Sequence, residues 1–122
     1  LSLFPLNKSL SLKNSSEIEA VFKGGNKISS KIISLHYAEL SKDEPFKVAF
    51  TVGKRNHKLA VSRNKLKRLM KESFRLNAAV YLNPSLNYHI VFVYYSSKQE
   101  SYSDIEKCIK SLLLSFKNKV SP

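Results

Sequence analysis

Polar residues around 13–23 are interrupted by Ile18, Val21 and Phe22 at three- and four-residue spacing. This spacing predicts a short helix over about 15–23, capped by Asn14 or Ser15 and ended by Gly24-Gly25 in a left-handed turn. From Ile28 to Leu40 the period changes to two, with Ile33, Leu35 and Tyr37 on one face and Ile32, Ser34, His36 and Ala38 on the other. That pattern predicts a strand with one wetter face. Residues 41–45 read as a turn, and Phe46 to Val52 resumes a β-rich run with Val48, Phe50 and Val52; the two runs are expected to pair as an antiparallel hairpin. A basic loop, GKRNHKL at 53–59, leads into AVSRNKLKRLMKESFR at 60–75. In a helix, Leu66, Leu69, Met70, Ser73, Phe74 and Leu76 gather on one side, Asn64, Lys67, Arg68, Lys71 and Arg75 on the other, and Arg63 at the border.

Asn83-Pro84-Ser85 marks a break, after which YHIVFVYY at 88–95 is nearly all β-branched or aromatic, as a strand buried on both faces would be. Ser103 to Glu106 reads as a capping box for a last helix with Ile105, Cys108, Ile109, Leu112, Leu113 and Phe116 at helical spacing. Residues 1 to about 12 lack periodicity and are expected to lie extended, with Pro5 opposing a helix and Leu3, Phe4 and Leu6 candidates for burial. The order α-β-β-α-β-α predicts an α+β fold, one sheet with helices against it in an α/β sandwich. With 122 residues and 43% apolar content, one domain over 1–122 is expected.

Charge sharpens this picture. Lys54 to Arg75 carries nine of the 21 basic residues and one of the nine acids, so it supplies +8 of the formal net charge of +12. Such crowding opposes folding by self-repulsion and is the footprint of a surface that binds phosphates; an anionic membrane surface or an acidic protein would also answer it. Cys108 is the single cysteine, which excludes an intramolecular disulfide and a cysteine-built zinc site and suits a reducing compartment. No window approaches the roughly 20 apolar residues that span a bilayer, and the start shows no apolar run behind a basic flank, so a cytoplasmic protein is expected. The chain begins at Leu1, and a few starting residues are expected to have been processed away or left out of the numbering.

The helix at 60–75 is the strongest chemical signal, because guanidinium forks and ammonium groups neutralise phosphates while the Asn64 amide can bond to sugar or base edges. Its bland alternative is a solvated charged face, which usually mixes both signs. Lys54, Arg55 and Lys58 extend the basic surface past the helix start, where the helix dipole also favours an anion. Phe22, His36, Tyr37, Phe50, Tyr94 and Tyr95 could stack on unpaired bases if they reach the surface, although strand aromatics are more often core. His36, His57 and His89 fall on separate segments without a second ligand at metal spacing, and no catalytic carboxylate pair or Ser-His-Asp order stands out. Glu72 reads as an intrahelical partner for Arg68 or Lys71, and Cys108 as an inert core residue. The chain thus shows no catalytic residues and no metal site of its own.

AVSRNKLKRLMKESFR resembles the arginine-rich signature helix of the bacterial ribonuclease P protein subunit, an RNR followed by K-R and a further basic residue. LKNSSEIEAVFKGGNKISSK is similar to that family's first helix and glycine turn, FKVAFTVGKRNHKLAV to its strand and loop before the signature, and YSDIEKCIKSLLLSF to its final helix. The resemblance implies a small α/β sandwich, of the class of the second domain of a small-subunit ribosomal protein, with a left-handed β-α-β crossover carrying the signature helix between two parallel strands; right-handed crossovers are the rule elsewhere. It also implies a noncatalytic subunit that assists removal of the 5′ leader of precursor tRNA by a catalytic RNA, which holds the Mg²⁺ ions. By position, Arg63, Asn64, Lys65, Lys67, Arg68, Lys71 and Arg75 would face the RNA subunit, and Phe22, His36, Phe50, Lys54 and Arg55 would border the cleft for the single-stranded leader. A protein monomer in a 1:1 ribonucleoprotein is implied, with no membrane partner. Lys65 stands where the motif has its second arginine, Ile18 and His36 stand where other members place aromatics, and the loop before the helix runs about one residue longer than its commonest form. Another RNA-binding module, such as a ribosomal protein, a helix that enters duplex DNA and a self-sufficient nuclease are the rival functions.

Overall fold

The computed structural model describes residues 11–41, 44, 46–83 and 86–120. The expected burial of Leu3, Phe4 and Leu6, the turn residues Lys42, Asp43 and Pro45, and Pro84-Ser85 lie outside the described residues. The elements are α1 (Ser15–Lys23), β1 (Asn26–Ser29), β2 (Ile33–Glu39), β3 (Lys47–Val52), α2 (Ala60–Tyr81), β4 (Tyr88–Tyr94) and α3 (Tyr102–Val120). The first helix lies where its pattern places it: the Asn14 side chain accepts the Ser16 N–H at 2.9 Å, and Gly25 ends the turn at φ 76°. That positive φ suits a residue without a Cβ.

Two sequence-based expectations change. The period-two run at 28–40 is two strands, because Ser30 accepts and donates hydrogen bonds with Ile33 and turns the chain. β1 and β2 form the antiparallel hairpin, whereas β2 and β3 are not neighbours. The sheet order is β1-β2-β4-β3, with β4 antiparallel to β2 and parallel to β3. The reason is compositional: β4 is apolar on both faces, so it takes an inner position, and its parallel pairing with β3 requires a crossover, which α2 supplies.

One sheet face meets α2 and α3. Ile33, Leu35, Phe50, Phe92 and Tyr94 pack there against Leu66, Met70 and Phe74 of α2 and Ile109, Leu113 and Phe116 of α3. Phe50 stacks on Phe92 with ring centroids 5.4 Å apart, and Phe74 meets both rings edge-on at 5.6 Å. The opposite face carries a smaller cluster in which Leu12 and Val21 cover Ala49 and Val91. Ser11 bridges Val48, and the Leu12 N–H donates to the Val48 carbonyl at 2.9 Å, so this strip runs beside β3.

The helix ends and stripes carry further corrections. Helix α2 runs six residues past Arg75, and Leu76 is exposed, not part of the packing stripe. The cap of α3 is Ser101 rather than Ser103: its Oγ accepts the Asp104 N–H at 3.2 Å and donates to the Asp104 carboxylate. Cys108 is half-buried and borders a cavity of about 620 Å³ between the β1–β2 turn and α3, rather than being sealed in the core. Ser73 is fully buried, and its Oγ has no hydrogen-bond partner among the described residues. Removing an unsatisfied hydroxyl relieves a desolvation cost, so Ser73→Ala is expected to leave stability unchanged or raise it by about 1 kcal/mol. Urea unfolding checks this, and a clear loss of stability would contradict it.

Candidate nucleic-acid interface

The apolar stripe of α2 (Leu66, Met70, Phe74, Ala78) fixes which way its cations point, because residues about half a turn away must face outward. Asn64, Lys65, Arg68 and Lys71 are exposed, and Lys67 is half-buried at the edge nearest the sheet. Lys67 and Lys71 line a cavity of about 400 Å³, together with Ser11, Leu12 and Lys13, Ile18 of α1, and Val48 to Thr51 of β3. Its apolar floor and cationic rim suit a strand whose bases are unpaired and whose backbone is charged.

Arg63 and Arg75 are less free than the sequence suggests. The Arg63 Nη1 donates to the carbonyls of His57 at 2.9 Å and Lys58 at 2.7 Å, which ties the helix to the loop before it. Arg75 donates to Glu72 at 2.6 Å, so the partner of Glu72 is Arg75 and not Arg68 or Lys71. That hydrogen bond holds the Glu72 carboxyl below, and the Arg75 guanidinium above, their ordinary values. Lys54 and Arg55 are exposed in the loop. At the start of α2, Leu59 offers no side-chain cap and the first turn holds no acid, so the positive end of the helix meets the basic loop uncompensated.

Phe22 and His36 are brought together, edge to face at 4.8 Å, with Phe22 41% exposed. The His36 Nε2 lies 3.1 Å from the Ser34 Oγ. Neither residue lines the 400 Å³ cavity; they meet where the last turn of α1 lies against β2. Phe50 does contribute to the cavity wall, but its ring is packed on the helix side of the sheet between Phe74 and Phe92, which makes it a core residue rather than a stacking platform. Ser11 to Lys13 carry no site signal in the sequence, because a stretch that pairs with one strand by a single bridge has no periodicity to read. Thr51, at the cavity wall, donates to the Phe92 carbonyl at 3.3 Å.

At the far end of α1, Glu17 lies 3.9 Å from both Lys47 and the buried His89. Burial holds the His89 imidazole below its ordinary value of 6.5, outweighing Glu17, and burial assisted by Lys27 does the same to His36. Both groups therefore take up protons more readily in the unfolded chain. Their contribution is present above the unfolded value and is lost as pH falls below 6.5. Urea unfolding at about pH 8 and about pH 5 should show the decline, and His89→Gln should flatten it.

Among the described residues no three His, Cys, Asp or Glu side chains converge in a way that could hold a metal ion, and no helix is long and apolar enough to cross a membrane. Residues 6–117 match the family model described as Ribonuclease P. The ribonuclease P protein component of Clostridioides difficile strain 630 is 34% identical over 108 residues, 88% of this chain and 91% of that protein. That of Borreliella afzelii is 31% identical over 108 residues, 88% and 96% of the two chains. The solved RNase P protein of Staphylococcus aureus superposes with a TM-score of 0.76 at 20% identity over 90% and 97% of the chains, and that of Thermotoga maritima with 0.72 at 20% identity over 86% and 96%. The structural likeness establishes the shared fold; with a family match over nearly the whole chain and two relatives above 30% identity, this chain belongs to the ribonuclease P protein family.

Proposed function

We propose that the chain is the protein subunit of ribonuclease P and assists removal of the 5′ leader of precursor tRNA. The observation that carries this is the placement of Lys67 and Lys71, which belong to the basic face of α2 and also rim the cavity beside β3. One helix thus serves two surfaces. Asn64, Lys65 and Arg68 face outward toward the catalytic RNA, and the cavity beside them takes the unpaired leader. The protein's work is electrostatic and positional: its cations screen repulsion between two RNAs and raise affinity for the substrate. Hydrolysis belongs to the RNA subunit, which holds the Mg²⁺ ions. One protein monomer joins one RNA, in the cytoplasm, without a membrane partner.

Reconstitution tests this. Added to its cognate RNA at low Mg²⁺, the chain should raise the rate of precursor tRNA 5′ maturation. RNA binding without any gain in maturation would favour a general RNA-binding module and overturn the proposal, as would cleavage by the chain alone.

A further inference from the structure

The loop at 53–59 carries Lys54, Arg55 and Lys58, yet its histidine is turned inward: His57 is 6% exposed, while its neighbours Asn56 and Lys58 are exposed. The His57 ring meets Tyr94 edge-on at 5.5 Å, and its Nε2 lies 2.7 Å from the Ser96 carbonyl. A carbonyl only accepts, so Nε2 carries the proton and donates. Tyr94 is itself held, since its hydroxyl accepts the Glu100 N–H at 2.9 Å and donates to the Lys98 carbonyl. Two further bonds cross the same gap, from the Asn56 Nδ2 to the Tyr95 carbonyl and from the Gln99 Nε2 to the Ser62 Oγ, each 3.1 Å.

We infer that His57 is a positioning residue which latches the basic loop to the turn after β4, and so fixes where Lys54 and Arg55 meet RNA. The inference rests on the proposed function for its consequence, although the latch is a property of the free chain. A seven-residue loop whose cations repel one another would otherwise spread among many conformations, and each productive contact would first have to order it. With His57 donating into the β4–α3 turn and Arg63 binding the carbonyls of His57 and Lys58, the loop is tied on both sides. Ordering is then completed during folding rather than at the moment of binding.

The test compares His57→Ala, His57→Asn and His57→Gln with the unaltered chain. A glutamine amide nitrogen can reach the place of Nε2; that of asparagine falls short. Hydrogen exchange at the amides of residues 54–58 is measured on the free protein, together with RNA affinity against salt and, in the reconstituted enzyme, KM and kcat. The Ala and Asn variants should exchange about tenfold faster in the loop. Their salt slope should be shallower by up to about 1.4, with KM raised and kcat largely kept, and Gln should restore all three. Unchanged loop exchange in both the Ala and Asn variants would overturn the latch, and so would equal defects in Gln and Asn, which would assign His57 to packing alone. Should the Ala variant not fold, the Gln and Asn pair still decides the matter. If the unaltered chain gave no gain in 5′ maturation, the proposed function would fail, and the exchange comparison would still decide the latch.

Discussion

Phe74→Ala is expected to destabilise the chain by about 3–5 kcal/mol, the range for removing a fully buried phenylalanine ring. Phe74 is 0% exposed, and its ring closes a trio with Phe50 of β3 and Phe92 of β4. Truncation removes that area from the core and leaves a space that the stacked Phe50–Phe92 pair cannot fill without leaving its own contact. The loss also bears on function, because this trio holds the basic helix against the two strands it connects. Urea unfolding followed by circular dichroism measures the effect. Leu76→Ala, on the same helix but 42% exposed, is the comparison and should stay within about 0.5 kcal/mol. A loss below about 1 kcal/mol for Phe74→Ala would contradict this packing.

Lys67→Glu combined with Lys71→Glu is expected to weaken binding of single-stranded leader RNA on the order of a hundredfold at moderate salt, with a slope against salt shallower by about 1.4, roughly 0.7 for each lost contact on a single strand. Both lysines line the cavity, and they lie four residues apart on one side of α2, so the reversal places two carboxylates where a phosphate backbone would pass. Folding should be little affected, because Lys71 is exposed and Lys67 only half-buried. The same reversal at Lys117 and Lys119, at the end of α3, provides a control for net charge alone. Equal losses from the two pairs would show that the total charge, and not this cavity, governs binding.

Local chemistry was legible wherever neighbours in sequence are also neighbours in space. Asn14, the three- and four-residue spacing of Ile18, Val21 and Phe22, and Gly24-Gly25 place α1 at Ser15–Lys23. The two faces of α2 follow from the helical period, and the burial of β4 on both faces from a run that is apolar on both sides. The end of α2 was less readable: no glycine or proline stands within the six residues after Arg75, so the helix continues to Tyr81.

The sequence by itself determined the α+β class, the two faces of the basic helix and its opposition of charge to apolar stripe, since each depends on periodicity and side-chain type alone. Only the tertiary structure decided that β4 separates β2 from β3, that Phe50 turns into the core, and that His57 and Arg63 bind backbone carbonyls of distant or looped segments. The physical reason is the same in each case. A pattern says which face of an element is buried, but the partner that buries it, or that accepts its hydrogen bond, is chosen by segments tens of residues away competing for the same surface.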